Sequence, residues 1–90
     1  MTIQQRSPLV VGNWKMHGTF ASNSSLIQAL LGRIEGVAVA LAPPSLYLSA
    51  TRQQLTGSTI ALAAQNVASE AQKGAYTGET SATMLADVGV

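Results

Sequence analysis

Apolar and polar positions change their spacing several times along this chain, and each change marks an element. Behind Pro8, the residues Leu9, Val10 and Val11 form a short β-branched run that reads as a buried strand. Between Thr19 and Glu35 the period lengthens. Phe20, Ile27, Leu30, Leu31 and Ile34 fall at three- and four-residue spacings, one stripe of a helix. Ser22, Asn23, Ser24 and Ser25 offer N-caps for it, and Gly36 stands where it would stop. The run VAVALA, from Val37 to Ala42, predicts a second strand, ended by Pro43-Pro44 because proline cannot donate into a ladder. A second helix opens at Pro44-Ser45, carries Leu46, Leu48, Ala50 and Leu55, and closes at Gly57. Thr59 to Ala64 reads as a third strand, and Ser81 to Asp87 as a short third helix capped by Thr80 or Ser81. The polar, glycine-bearing stretch 65–80 between them is long for a compact domain, which points to a function. Gly89-Val90 reads as the approach to a further strand.

Strands near 8–14, 37–42 and 59–64 thus alternate with helices, in units close to the roughly 30 residues of a strand–helix–strand motif. This order predicts the α/β class, with parallel strands joined by right-handed crossovers in one domain over residues 1–90. Within the strands a finer pattern runs at period two. Ala38, Ala40 and Ala42 alternate with Val37, Val39 and Leu41, and Ala61 and Ala63 with Ile60 and Leu62. Large residues on one face and small ones on the other suit a closed barrel with helices outside. An open sheet covered on both sides calls for large apolar residues on both faces. The same alternation puts Val11, Asn13 and Lys15 on one face of the first strand.

Composition narrows the function classes. Of the 90 residues, 47% are hydrophobic and only 10% charged, against roughly 25% charged in ordinary soluble domains. That balance excludes a disordered chain and describes a surface too apolar to stand alone. A net charge of +1 leaves no basic footprint for nucleic acid. There is no apolar run of about 18 residues to cross a membrane, and MTIQQRSP lacks the apolar core of a secretion signal. The absence of cysteine removes disulfides and thiolate metal sites and fits a cytoplasmic protein.

Asn13 and Lys15 carry the clearest chemistry. They stand at the C-terminal end of the first strand, the end at which parallel sheets bind ligands. A compact ammonium beside an amide donor suits a phosphorylated or oxyanionic small molecule. The competing reading is a solvated strand-end lysine next to a turn-forming asparagine. Trp14, on the opposite face, reads as helix-packing core. His17, the only histidine, has no carboxylate beside it in sequence and reads as a loop residue. Glu70, Glu79 and Asp87 show no metal-ligand spacing, and no glycine cluster makes a nucleotide loop.

Four segments together resemble the N-terminal part of the triosephosphate isomerase family: VVGNWKM from Val10, LAPPSLYL from Leu41, AAQNV from Ala63, and GAYTGETSATMLADVG from Gly74. The resemblance runs from about Pro8 onward, in the family's order and spacing. It implies a (β/α)₈ barrel, of which this chain would hold the first three-plus units, and a homodimer. It also implies cofactor-free interconversion of dihydroxyacetone phosphate and glyceraldehyde 3-phosphate, a step of glycolysis and gluconeogenesis. On this resemblance Lys15 is the catalytic cation favouring the substrate phosphate and the enediolate charge, and Asn13 orients substrate oxygens. Gln65, Asn66, Thr77, Gly78 and Glu79 correspond to the loop that crosses the family's dimer interface, with Thr77 near the partner's active site.

The family's electrophilic histidine, general-base glutamate and closing lid all follow later strands and have no counterpart here. Such a barrel needs about 250 residues. The chain is therefore expected to be inactive by itself and to work only with the remaining barrel segment. The alternative expectation is a non-catalytic truncated β/α module that self-associates through exposed strand edges. A third, an open phosphate-binding sheet of flavodoxin type, conflicts with the alanines at 38, 40, 61 and 63.

Overall fold

A computed structural model describes residues 6–90, and its elements follow the expected order. Strand β1 (Leu9–Asn13) leads to helix α1 (Phe20–Leu30) and strand β2 (Ala38–Ala42). A 3₁₀ turn (Ser45–Tyr47) runs into helix α2 (Leu48–Leu55), followed by strand β3 (Ala61–Leu62) and helix α3 (Ala82–Val88). The strands make one parallel sheet in the order β1-β2-β3, consistent with the first β/α units of a (β/α)₈ barrel.

Register explains the period-two pattern. Val11 pairs with Ala40 and Ala40 with Ala61, a row of small-face residues crossing the sheet, with Asn13 and Ala42 one step nearer the strand ends. The other face carries Gly12, Leu41 and Leu62 in one row. Leu41 and Leu62 join Ile27, Leu48, Leu55, Ile60 and Leu85 in the buried core beneath the helices. Trp14 packs against that cluster, as its position opposite Asn13 predicts. Gly12 makes room for it: a Cβ there would stand 3.3 Å from Leu41 Cδ2 and 3.8 Å from Trp14 Nε1.

Helix ends differ from expectation in instructive ways. The cap of α1 is Thr19, upstream of the serines and asparagine expected to provide it. Its hydroxyl accepts from the Ser22 N–H, and the Ser22 hydroxyl accepts from the Thr19 N–H, both at 3.0 Å. This reciprocal box satisfies two otherwise orphaned donors, so Ser22 serves as the cap's partner. The helix also ends at Leu30, earlier than Gly36, with the Leu31 N–H closing onto the Ile27 carbonyl and Gly32 taking φ +75°. Helix α3 starts from Ser81, whose hydroxyl accepts from the Met84 N–H. Strand β3 is shorter than the expected 59–64 because the Ile60 N–H is taken by the Ser58 hydroxyl at 3.2 Å. A local side-chain bond thus replaces the start of the ladder.

Burial is uneven. Ala40, Leu41 and Ala42 of β2 are buried, whereas Leu9, Val10 and Val11 of β1 are 62%, 55% and 51% exposed. The molecule is a slab of 45 × 45 × 22 Å with a Cα radius of gyration of 15.0 Å, against about 12 Å for a compact chain of this length. Its surface of 6824 Å² exceeds the roughly 5,000 Å² expected for its mass. Among the described residues no helix is long and apolar enough to cross a membrane.

Candidate functional site

Asn13 ends β1, so period two carries no further, and Lys15 leaves the strand through its own backbone. Its φ of +54° is left-handed, the only such value at a non-glycine among the described residues. For a residue with a Cβ this conformation costs about 1–2 kcal/mol, and it persists only where neighbours hold it. The expectation that Lys15 continues the strand face beyond Asn13 is corrected accordingly: the turn, not the pleat, sets its direction.

Two side chains hold that turn. The Asn13 side-chain oxygen accepts from the Lys15 N–H at 2.9 Å, bridging two residues as asparagine does in tight turns. Asparagine is therefore turn-forming here, and the same bond leaves its NH₂ group available at the strand end. From the far side, the Gln65 NH₂ group donates to the Lys15 carbonyl at 2.9 Å and to the Ala42 carbonyl at 2.8 Å. The Ala42 carbonyl also accepts from the Trp14 N–H at 3.0 Å. Gln65 is in turn placed by β3, whose exit is fixed where the Ala63 N–H donates to the Leu41 carbonyl at 2.8 Å. One amide thus ties together the carboxyl ends of all three strands.

Asn13 and Lys15 are exposed, and no carboxylate or imidazole hydrogen-bonds to either among the described residues. An open ammonium beside an amide donor can bind an oxyanion or phosphate. Proton abstraction needs a base within hydrogen-bond reach of the carbon acid, and none sits with this pair. His17 instead lines an apolar cleft with Trp14, Gly18, Ser22, Asn23 and Leu26. Among the described residues no three carboxylates or imidazoles gather in one place.

The loop 65–80 is ordered by its own hydrogen bonds. The Ala68 N–H donates to the Thr80 carbonyl at 2.8 Å, and the Glu79 N–H to the Tyr76 carbonyl at 3.1 Å. Gly78 at φ +82° occupies the third position of this Tyr76–Glu79 turn, where a left-handed residue is required. Asn66, Gly78 and Glu79 come together with Ser45 around a small cavity of about 90 Å³, while Thr77 lies at the turn outside it. Val67 and Tyr76 on this loop are each 49% exposed. A wider groove of about 590 Å³ runs along β3 and α3, lined by Leu62, Ala64, Val67, Leu85 and Val90. It meets Gln65 but neither Asn13 nor Lys15, and it lies beside β3, which among the described residues pairs only with β2.

Comparison with known proteins bears directly on this arrangement. The profile of the triosephosphate isomerase family matches residues 8–90. The chain is 50% identical over 84 residues to a triosephosphate isomerase of Thiobacillus denitrificans, covering 93% of this chain and 34% of that protein. Proteins of the same name from Pseudomonas aeruginosa and Photorhabdus laumondii are 52% and 53% identical, with the same shares covered. The chain thus spans about a third of the length of the curated relatives it matches.

Proposed function

This chain belongs to the triosephosphate isomerase family, and from that premise we propose that Asn13 and Lys15 form the cationic, phosphate-facing part of a triose phosphate isomerase site. The reaction is the interconversion of dihydroxyacetone phosphate and glyceraldehyde 3-phosphate, serving glycolysis and gluconeogenesis in the cytoplasm. Lys15 is the catalytic cation. Its ammonium attracts the substrate phosphate and offsets the negative charge that grows on the enediolate, while the Asn13 amide orients substrate oxygens. The chemistry is proton transfer next to a carbonyl and draws on no cofactor.

The observation that supports this reading is the pinned left-handed turn at Lys15, which holds an exposed cation at the carboxyl end of a parallel sheet. Strain of this kind gathers at working sites, where the surrounding structure maintains it. Among the described residues no imidazole or carboxylate hydrogen-bonds to the pair, so on this reading the base and the electrophile belong to other segments of a complete barrel. The chain alone is inactive on this reading. The loop carrying Gln65, Asn66, Thr77, Gly78 and Glu79 meets a partner subunit of a homodimer, with half-exposed Val67 and Tyr76 as its apolar contacts.

In a catalytically competent assembly, Lys15→Ala lowers kcat/KM by at least about 100-fold, in the range of lost transition-state contacts, yet shifts stability by under about 0.5 kcal/mol. Steady-state kinetics paired with thermal unfolding measures both. Equal losses would assign Lys15 a structural role.

A second reading rests on β1, whose outer edge has no strand partner among the described residues and whose Leu9, Val10 and Val11 are exposed. Without further barrel strands, copies of the chain associate through that edge. Light scattering on the isolated chain then gives a mass above the monomer, and a stable monomer refutes this reading.

A further inference from the structure

We propose that Gln65 is a positioning residue for Lys15: its side-chain amide holds the lysine backbone in the left-handed turn that aims the ammonium for anion binding. The inference rests on the reading of Lys15 as the substrate-binding cation and goes beyond it, because Gln65 itself comes from the loop assigned above to the subunit interface.

The geometry is specific. A primary amide has two donor hydrogens, and Gln65 uses them on two carbonyls from two different strand ends. These bonds span 50 and 23 positions in the chain, so they report tertiary placement, not a local turn preference. One of them falls on the carbonyl of the single non-glycine residue with positive φ among the described residues. Asn13 holds the same residue from its N–H side. The Lys15 backbone is thereby fixed at both of its polar groups, its N–H by Asn13 and its carbonyl by Gln65. Relaxation to an ordinary φ must break at least one of these bonds.

The requirement on side-chain chemistry is equally narrow. Glutamate at position 65 has the length but only acceptors when ionised, and would face two carbonyl oxygens with no proton to share. Asparagine has the donors but is one methylene short. Alanine has neither. Gln65 is exposed and outside the apolar core, so its loss leaves the core packing intact.

The test uses the full 90-residue chain, wild type and Gln65→Ala, Gln65→Glu, Gln65→Asn and Lys15→Ala, with circular dichroism as the folding control. A left-handed residue gives a strong NOE between its own amide and Hα protons, which reads the Lys15 backbone directly. Titration with inorganic phosphate, followed at the Lys15 signals, reads anion binding. We expect Gln65→Ala to weaken this NOE to the intensity of residues with ordinary negative φ, because the Lys15 carbonyl loses its tie. Phosphate affinity falls about fivefold or more in the same variant. Gln65→Glu is at least as impaired, and Gln65→Asn lies between. An NOE of undiminished strength together with wild-type phosphate affinity in Gln65→Ala overturns the positioning role. Equal phosphate binding by wild type and Lys15→Ala overturns instead the reading of Lys15 as the anion-binding cation, whatever the NOE shows.

Discussion

Strands β1 and β2 are paired over five residues and have similar apolar sequences, LVVGN and AVALA, yet they live in different surroundings. Leu41 of β2 is 4% exposed, seated among Ile27, Leu48, Leu55 and Leu62, while Val10, on the same face of β1, keeps 55% of its surface. The contrast comes from neighbours. Strand β2 has a strand on each side and helices on its large-residue face; among the described residues β1 has a strand on one side only. Hydrophobicity in a strand is a demand for cover, and only β2 has that demand met. The left-handed turn at Lys15 grows out of the uncovered strand, braced by Asn13 and Gln65 in place of a core.

Substitutions can break this contrast if it is wrong. Leu41→Ala should destabilise the chain by about 2–5 kcal/mol, the usual cost of emptying a packed leucine site, whereas Val10→Ala on the same face of β1 should cost under about 1 kcal/mol. Denaturant unfolding of the pair measures the gap, and similar losses would mean that β1 is covered in solution. Gly12→Val tests the one close approach of β1 to the core. Its added carbons meet the Leu41 side chain, and overpacking of this kind costs about 1–3 kcal/mol. A neutral Gly12→Val would show that β1 rides loosely on β2.

Much of this architecture is legible in the sequence, for local reasons. Alternation of large and small residues marks both faces of β2, and the spacing of Ile27 and Leu30 marks α1. Strand ends and caps are less legible because they are settled by single hydroxyls. Ser58 takes the Ile60 N–H and shortens β3, and Thr19 out-competes four downstream candidates by bonding reciprocally with Ser22. At the site, Asn13 and Lys15 stand out by residue type at a strand end. The left-handed turn between them does not, since period two runs on through Lys15; the available signal was the asparagine two residues earlier, a common turn former. The tie from Gln65 spans 50 positions, and no local pattern encodes it.

On the proposed reading, Lys15 is the binding cation of a triose phosphate isomerase site and no base stands beside it. One proton NMR experiment in D₂O tests it: the isolated chain is titrated with dihydroxyacetone phosphate while the Lys15 methylene signals and the substrate's carbon-bound protons are followed together. The expected result is a saturable shift at the methylene beside the Lys15 ammonium, absent in Lys15→Ala, with substrate protons exchanging no faster than in buffer. Accelerated exchange or isomerisation by the isolated chain, or a Lys15 signal indifferent to the substrate, would contradict it.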